Sequence, residues 1–219
     1  MPLESGGFAV PLEISLTSTS QKVITAFGYA YRTRFGDGKE RFDRAWVDLA
    51  MALPIAADEK DVSKRSQLVF TAGGTRKNKH FITVLPGRGL PLDVEVYPLW
   101  ATFEDRSAIG DTDGISEVLR IRSLKAVELD ELIDEMELIR NSSNLRLTGA
   151  KRLAELAKDG RPSARDKQRL DDLHEQLDGL LAHDNTDRQT LTKLIGLSIE
   201  ALAKQRDLLE QHSTLKESN

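Results

Sequence analysis

The sequence predicts an α+β protein, with an N-terminal β-rich domain (a sandwich or small barrel) followed by a C-terminal antiparallel helical bundle or coiled coil. Two observations carry this expectation. Apolar residues alternate with period two through residues 10–16 and 23–35, whereas from residue 129 onward they recur every third or fourth position. Gly- and Pro-containing turns separate several short strand-like runs before residue 104, an all-β signature. The change of period sets domains at residues 1–108 and 117–219. The linker at 109–116 begins Ile-Gly-Asp-Thr-Asp-Gly and has no large apolar residue before Ile115 apart from Ile109.

In residues 10–16, Val10, Leu12, Ile14 and Leu16 share one face and Pro11, Glu13 and Ser15 the other, as in a half-buried strand. In residues 23–35 the aromatic and β-branched residues Val23, Thr25, Phe27, Tyr29, Tyr31, Thr33 and Phe35 share a face. The opposite face carries Ile24, Ala26, Gly28 and Ala30, small enough for another element to pack closely. Gly36-Asp37-Gly38 is a turn signal. Residues 40–53 fit two patterns. Ala45, Val47, Leu49, Met51 and Leu53 alternate as a strand would, and the preceding turn favours this hairpin. Phe42, Trp46, Leu49, Ala50 and Leu53 fit a helix capped by Asp37, which would add one helix to the β-rich domain. Further strands are expected at 67–72, 80–85 and 93–103, separated by Gly73-Gly74 and Pro86-Gly87-Arg88-Gly89.

Residues 118–129 are compatible with a strand running into a helix or with helix throughout. Leu129, Leu132, Ile133, Met136 and Ile139 then form an apolar stripe. A second helix is expected over 144–159, with Leu145, Leu153, Leu156 and Ala157 apolar. A third opens at Ser163 with Leu170, Leu173, Leu177 and Leu180 at three-four spacing. A fourth begins at Thr186, read as a capping residue with Gln189, and carries Leu191, Leu194, Ile195, Ile199, Leu202 and Leu209. Such helices bury their stripes within one chain or between chains. Leu170, Leu173, Leu177, Leu180, Leu191, Ile195, Leu202 and Leu209 are therefore the candidate residues for oligomerisation or partner docking.

With 219 residues, 39% apolar and 30% charged, the chain is long enough for one large core or two small ones. A net charge of −4 argues against a general polyanion binder. The absence of cysteine excludes disulfides, thiolate nucleophiles and Cys-based zinc sites. The N-terminal residues lack the basic start and apolar run of a signal peptide, and no apolar stretch is long enough to span a bilayer. The expectation is a cytoplasmic protein without a membrane partner.

Chemistry-bearing patterns are few. No acidic residue lies between Asp61 and Asp93, a stretch holding Lys64, Arg65, Arg76, Lys77, Lys79 and Arg88. Arg76, Lys77, Lys79 and His80, read as a hairpin loop, are the candidate anion or nucleic-acid contacts. The plainer expectation is a solvated loop that keeps strand edges apart. Phe81, Tyr29 and Tyr31 are expected in the core. Glu128, Asp130, Glu131, Asp134, Glu135 and Glu137 form an acidic helix face, to be solvated or to attract a basic partner. Asp93 and Glu95 share a strand face as metal-dependent nucleases require, yet Tyr97 and Pro98 follow where a nuclease lysine would stand. His80, His174, His183 and His212 form no ligand pair at helical spacing, and three of them are expected on polar helical surface. No nucleophile elbow, phosphate-binding loop or cofactor motif occurs.

These patterns favour a non-catalytic assembly or adaptor protein, with a β-rich recognition module and helices that dock another protein or a second copy. A nucleic-acid-associated protein using the basic loop is the alternative, and a metal-dependent nuclease or nucleotidyltransferase-like enzyme is a further one.

Overall fold

The computed structural model describes residues 8–52, 70–158, 171–172, 177 and 187–216. They form an α+β fold of six strands in two antiparallel sheets and three helices. The strands are β1 (Phe8–Thr17), β2 (Ile24–Phe35), β3 (Glu40–Asp48), β4 (Thr75–Val84), β5 (Pro91–Phe103) and β6 (Ala108–Gly110). The helices are α1 (Thr112–Arg140), α2 (Leu145–Lys158) and α3 (Arg188–Gln211). No described helix is long and apolar enough to cross a membrane. The chain divides into two compact units, Met1–Arg120 with His212–Asn219, and Ile121–Gln211.

In the first unit β1 pairs with β4, and a second sheet runs β3-β2-β5-β6. Leu12, Ile14 and Leu16 of β1 pack against Phe27, Tyr29 and Tyr31 of β2, so the inner faces of both sheets share one core. Burial follows the alternation in β1, whereas β2 is buried on both faces from Ile24 to Tyr31 and alternates only towards Phe35. Residues 40–48 are strand and residues 50–52 a short 3-10 turn. The hairpin decides between the two patterns. Phe35 donates its N–H to Lys39 at 2.9 Å and accepts from Gly38 at 3.0 Å, with Gly38 at a φ of 78°. From there β3 keeps an unbroken register with β2 from Arg34↔Glu40 to Ala26↔Asp48.

The outer face of β2 is the small-residue face. Trp100 of β5 and the first turns of α1 cover its lower half, where Ala26, Trp100, Ile115 and Val118 form a separate core. The indole fits because two positions carry no side chain. A Cβ on Gly28 would lie 2.3 Å from Trp100 Nε1, and one on Gly114 would lie 2.1 Å from the same atom. Asp111 fixes the helix start. Its carboxylate accepts from Gly114 N–H at 3.3 Å, and its own N–H donates to the Leu99 carbonyl at 3.0 Å. Residues 118–129 are helical throughout, because α1 starts at Thr112 and continues unbroken to Arg140.

In the second unit Leu132, Ile133, Met136 and Ile139 of α1, Leu145 of α2, Leu177, and Leu191, Ile195, Ile199 and Leu202 of α3 form one core. Asn144 caps α2 through Leu147 N–H at 3.1 Å. Asp187 caps α3, accepting from the Thr190 N–H at 3.0 Å and hydroxyl at 2.6 Å; Thr186, the expected cap, lies outside the described residues. A carboxylate at this position also meets the positive end of the helix, and these bonds hold Asp187 below its usual pKa. The acidic face of α1 is largely paired. Glu135 is buried and takes two hydrogen bonds from Arg152 at 2.5 Å each, while Asp130 accepts from Arg206 at 2.6 Å.

Gly28→Ala and Gly114→Ala should each destabilise the first unit by about 1–3 kcal/mol, because the indole must move to admit a methyl group. The check is the denaturant midpoint at unchanged slope. An effect within error would show that Trp100 is not gripped at these two points.

An apolar cleft as candidate functional site

The four basic residues read as one patch are divided by the strand they occupy. They lie on β4, which begins at Thr75, so only Gly73-Gly74 remains a turn. Strand alternation sends Lys77 and Lys79 outward and turns Arg76 and His80 towards the sheet interior. Lys77 donates to Glu13 at 2.8 Å, which holds the ammonium above and the carboxylate below their usual pKa values. Burial pulls Arg76 down. His80 hydrogen-bonds through Nε2 to the Tyr29 hydroxyl, and its ring lies 5.7 Å from Tyr29 and 5.5 Å from Tyr31. Burial pushes both tyrosine hydroxyls up. Beside them Asn78 Nδ2 and Thr33 Oγ1 are buried with no hydrogen-bond partner among the described residues. Arg88 lies in the other turn, 3.9 Å from Asp37 and over the Phe35 ring.

Other candidates are placed as follows. Phe81 is exposed rather than in the core, since it follows the outward phase of Lys77 and Lys79. Asp93 and Glu95 share the outer face of β5, opposite Arg34 and Arg32. Glu95 is taken by Arg32 at 2.5 Å and by the Tyr97 hydroxyl, which together hold it below the usual carboxylate range. Among the described residues no group of three or more His, Asp or Glu could hold a metal ion. His212 is buried rather than on polar surface; His174 and His183 lie outside the described residues. Of the apolar docking positions, Leu177, Leu191, Ile195, Leu202 and Leu209 are buried inside the chain, and Leu170, Leu173 and Leu180 lie outside the described residues.

A concavity of the first unit was not expected from the sequence. It is a cleft of about 510 Å³ between the ends of β1, β2, β5 and β6. It opens because β1 leaves its partner β4 at Thr17 while β2 and β5 continue in the other sheet, with a single bridge, Ile24↔Phe70, nearby. Leu16, Phe27, Phe70, Trp100 and Phe103 supply apolar wall. Ser18 and Ser20 shape one rim: Ser18 N–H donates to Gly74 at 2.9 Å, and the two hydroxyls accept from Ser20 and Lys22 N–H at 3.2 and 3.0 Å. Ile109, 62% exposed, stands on the opposite rim. Volume and lining suit the retention of an apolar molecule, with few polar groups to orient it. Among the described residues the polar side chains of the lining are Thr17, Ser18, Thr19, Ser20 and Tyr29.

Comparison of the chain with protein-family models, curated proteins and solved structures finds no match in any of the three.

Tyr29→Phe removes the hydroxyl from His80 and should cost about 1 kcal/mol of stability. Chemical denaturation checks it, and an unchanged midpoint would mean that the pair contributes nothing net.

Proposed function

We propose that the chain is a non-catalytic recognition protein whose β-rich unit takes up a small apolar ligand in the cleft between Leu16 and Trp100. The observation that supports this is the cleft itself, a concavity of about 510 Å³ whose described walls are mainly apolar. Apolar surface of that shape is stabilised by whatever displaces water from it, at roughly 25 cal/mol per Å² removed from water. Assembly through the helices is not part of this proposal, because the apolar residues that would mediate it are interior wherever they are described.

Titration with Nile red, a neutral apolar dye, tests the cleft. The wild-type chain should give saturable one-site fluorescence enhancement accompanied by a change in tryptophan emission. Ile109→Asp, at an exposed rim position, should weaken binding about tenfold at an unchanged melting midpoint. Unsaturable enhancement, or equal affinity in the variant, would count against the cleft.

The basic strand supports a second reading. Phe81 is 66% exposed and shares the outward phase of β4 with Lys77 and Lys79, an arrangement on which a single-stranded base could stack beside its phosphates. Phe81→Ala and Lys79→Glu should then each reduce binding of a single-stranded oligonucleotide. Absence of salt-sensitive binding by the wild type would remove this reading.

A further inference from the structure

The sheet edges are guarded unequally. Strand edges carry unpaired N–H and C=O groups, and proteins blunt them with short strands, proline, lysine or bulges. β6 is only three residues long. β1 contains Pro11, and β4 carries Lys77 and Lys79. β3, the other edge of the four-stranded sheet, is protected by charge alone, and its charges alternate in sign along the strand, so an antiparallel copy can match them. It runs for nine residues without proline, lysine or a register shift. It also exposes Phe42 at 65% and Trp46 at 47%.

The hairpin fixes which backbone groups face that edge. Phe35 donates to Lys39 at one end of the pairing, and Leu49 donates to Thr25 at 2.7 Å at the other. Odd-numbered residues of β3 therefore bond to β2, and the N–H and C=O groups of Glu40, Phe42, Arg44 and Trp46 point outward. An antiparallel partner must pair residues of equal parity, so an isologous contact centres on a residue of β3.

Charge discriminates among the centres. Centring on Arg41, Asp43 or Arg44 sets like charges directly opposite each other. Centring on Trp46 matches only Arg44 with Asp48, twice by symmetry. Centring on Phe42 sets Glu40 against Arg44 and Arg41 against Asp43, each twice, with the two Phe42 rings adjacent. Within one chain Glu40 also meets Arg34 at 3.3 Å and Arg41 meets Asp43 at 2.7 Å, so Arg44 is the residue that gains a new partner. Arg44 is exposed and has no ion-pair or hydrogen-bond partner among the described residues. Its nearest cross-strand position on β2 is Ala30.

We propose that β3 pairs antiparallel with β3 of a second copy about a twofold axis at Phe42, joining two four-stranded sheets into one of eight strands. The register places Glu40 of each copy opposite Arg44 of the other, and the contact is independent of the apolar cleft.

The full-length chain tests it directly, because it contains no cysteine and a single introduced cysteine reports one position. Sedimentation should show a reversible dimer, and Phe42→Cys should crosslink rapidly on oxidation. Trp46→Cys should not, since in this register the two positions lie roughly 27 Å apart along the strands at 3.4 Å per residue. Arg44→Glu should weaken dimerisation about tenfold through two like-charge contacts, and adding Glu40→Arg should restore it. A monomer at all concentrations overturns the proposal. A dimer in which Phe42→Cys stays reduced, or in which Trp46→Cys crosslinks instead, overturns it as well.

Discussion

The first unit is organised around the seating of Trp100 between two glycines. The indole lies across Gly28 of β2 and under Gly114 in the first turn of α1, and neither position has room for a Cβ. This contact joins three elements distant in sequence: the central strand, its neighbour β5 and the start of the helix. It also explains why the outer face of β2 is built from Ala26, Gly28 and Ala30, and why Asp111 is tied both to the Leu99 carbonyl and to the helix N-terminus. The register of β5 against β2 shifts between Gly28 and Tyr29, next to the indole. A bulge there re-aims the strand beside Trp100.

The two surfaces on which the proposals rest lie on either side of that seating. Residues 112–120 cover only one end of the outer sheet face, since Ile115 and Val118 pack near Ala26 and Trp100. The other end keeps Phe42, Arg44 and Tyr97 at the surface. On its other side Trp100 forms part of the wall of the apolar cleft, together with Phe27 and Phe103. The contact that closes one face of the sheet thus also shapes the concavity at its end.

Much of the β-rich unit is legible in the sequence because its strands alternate cleanly. The inward face of β1 and the aromatic face of β2 are read directly from Leu12, Ile14, Leu16, Phe27, Tyr29 and Tyr31, and the small-residue face correctly implied a close neighbour without identifying it. Residues 40–53 satisfied two periods at once, since Leu49 belongs to both, and only pairing with β2 separates them. β4 was hidden for a different reason. Thr75 to Lys79 are polar or charged, so no apolar alternation marks them, and their strand conformation comes from five register pairs with β1. The expected loop is strand, and its alternation divides the basic residues between two faces. The cleft had no local signal, because its walls come from four strands and from Phe70. In the helical unit the stripes were visible, whereas their burial within the chain depends on which helices meet. The acidic face of α1 was equally visible, but Arg152 and Arg206 reach it from α2 and α3.

Tryptophan fluorescence is the most direct test of the account. In a Trp46→Phe background Trp100 is the single remaining tryptophan, since the chain has two. Seated as described, at 7% exposure, it should emit at short wavelength and resist acrylamide quenching until the first unit unfolds. Emission like that of a solvated indole, with quenching like that of the free amino acid under native conditions, would contradict the seating of Trp100 and the arrangement built on it.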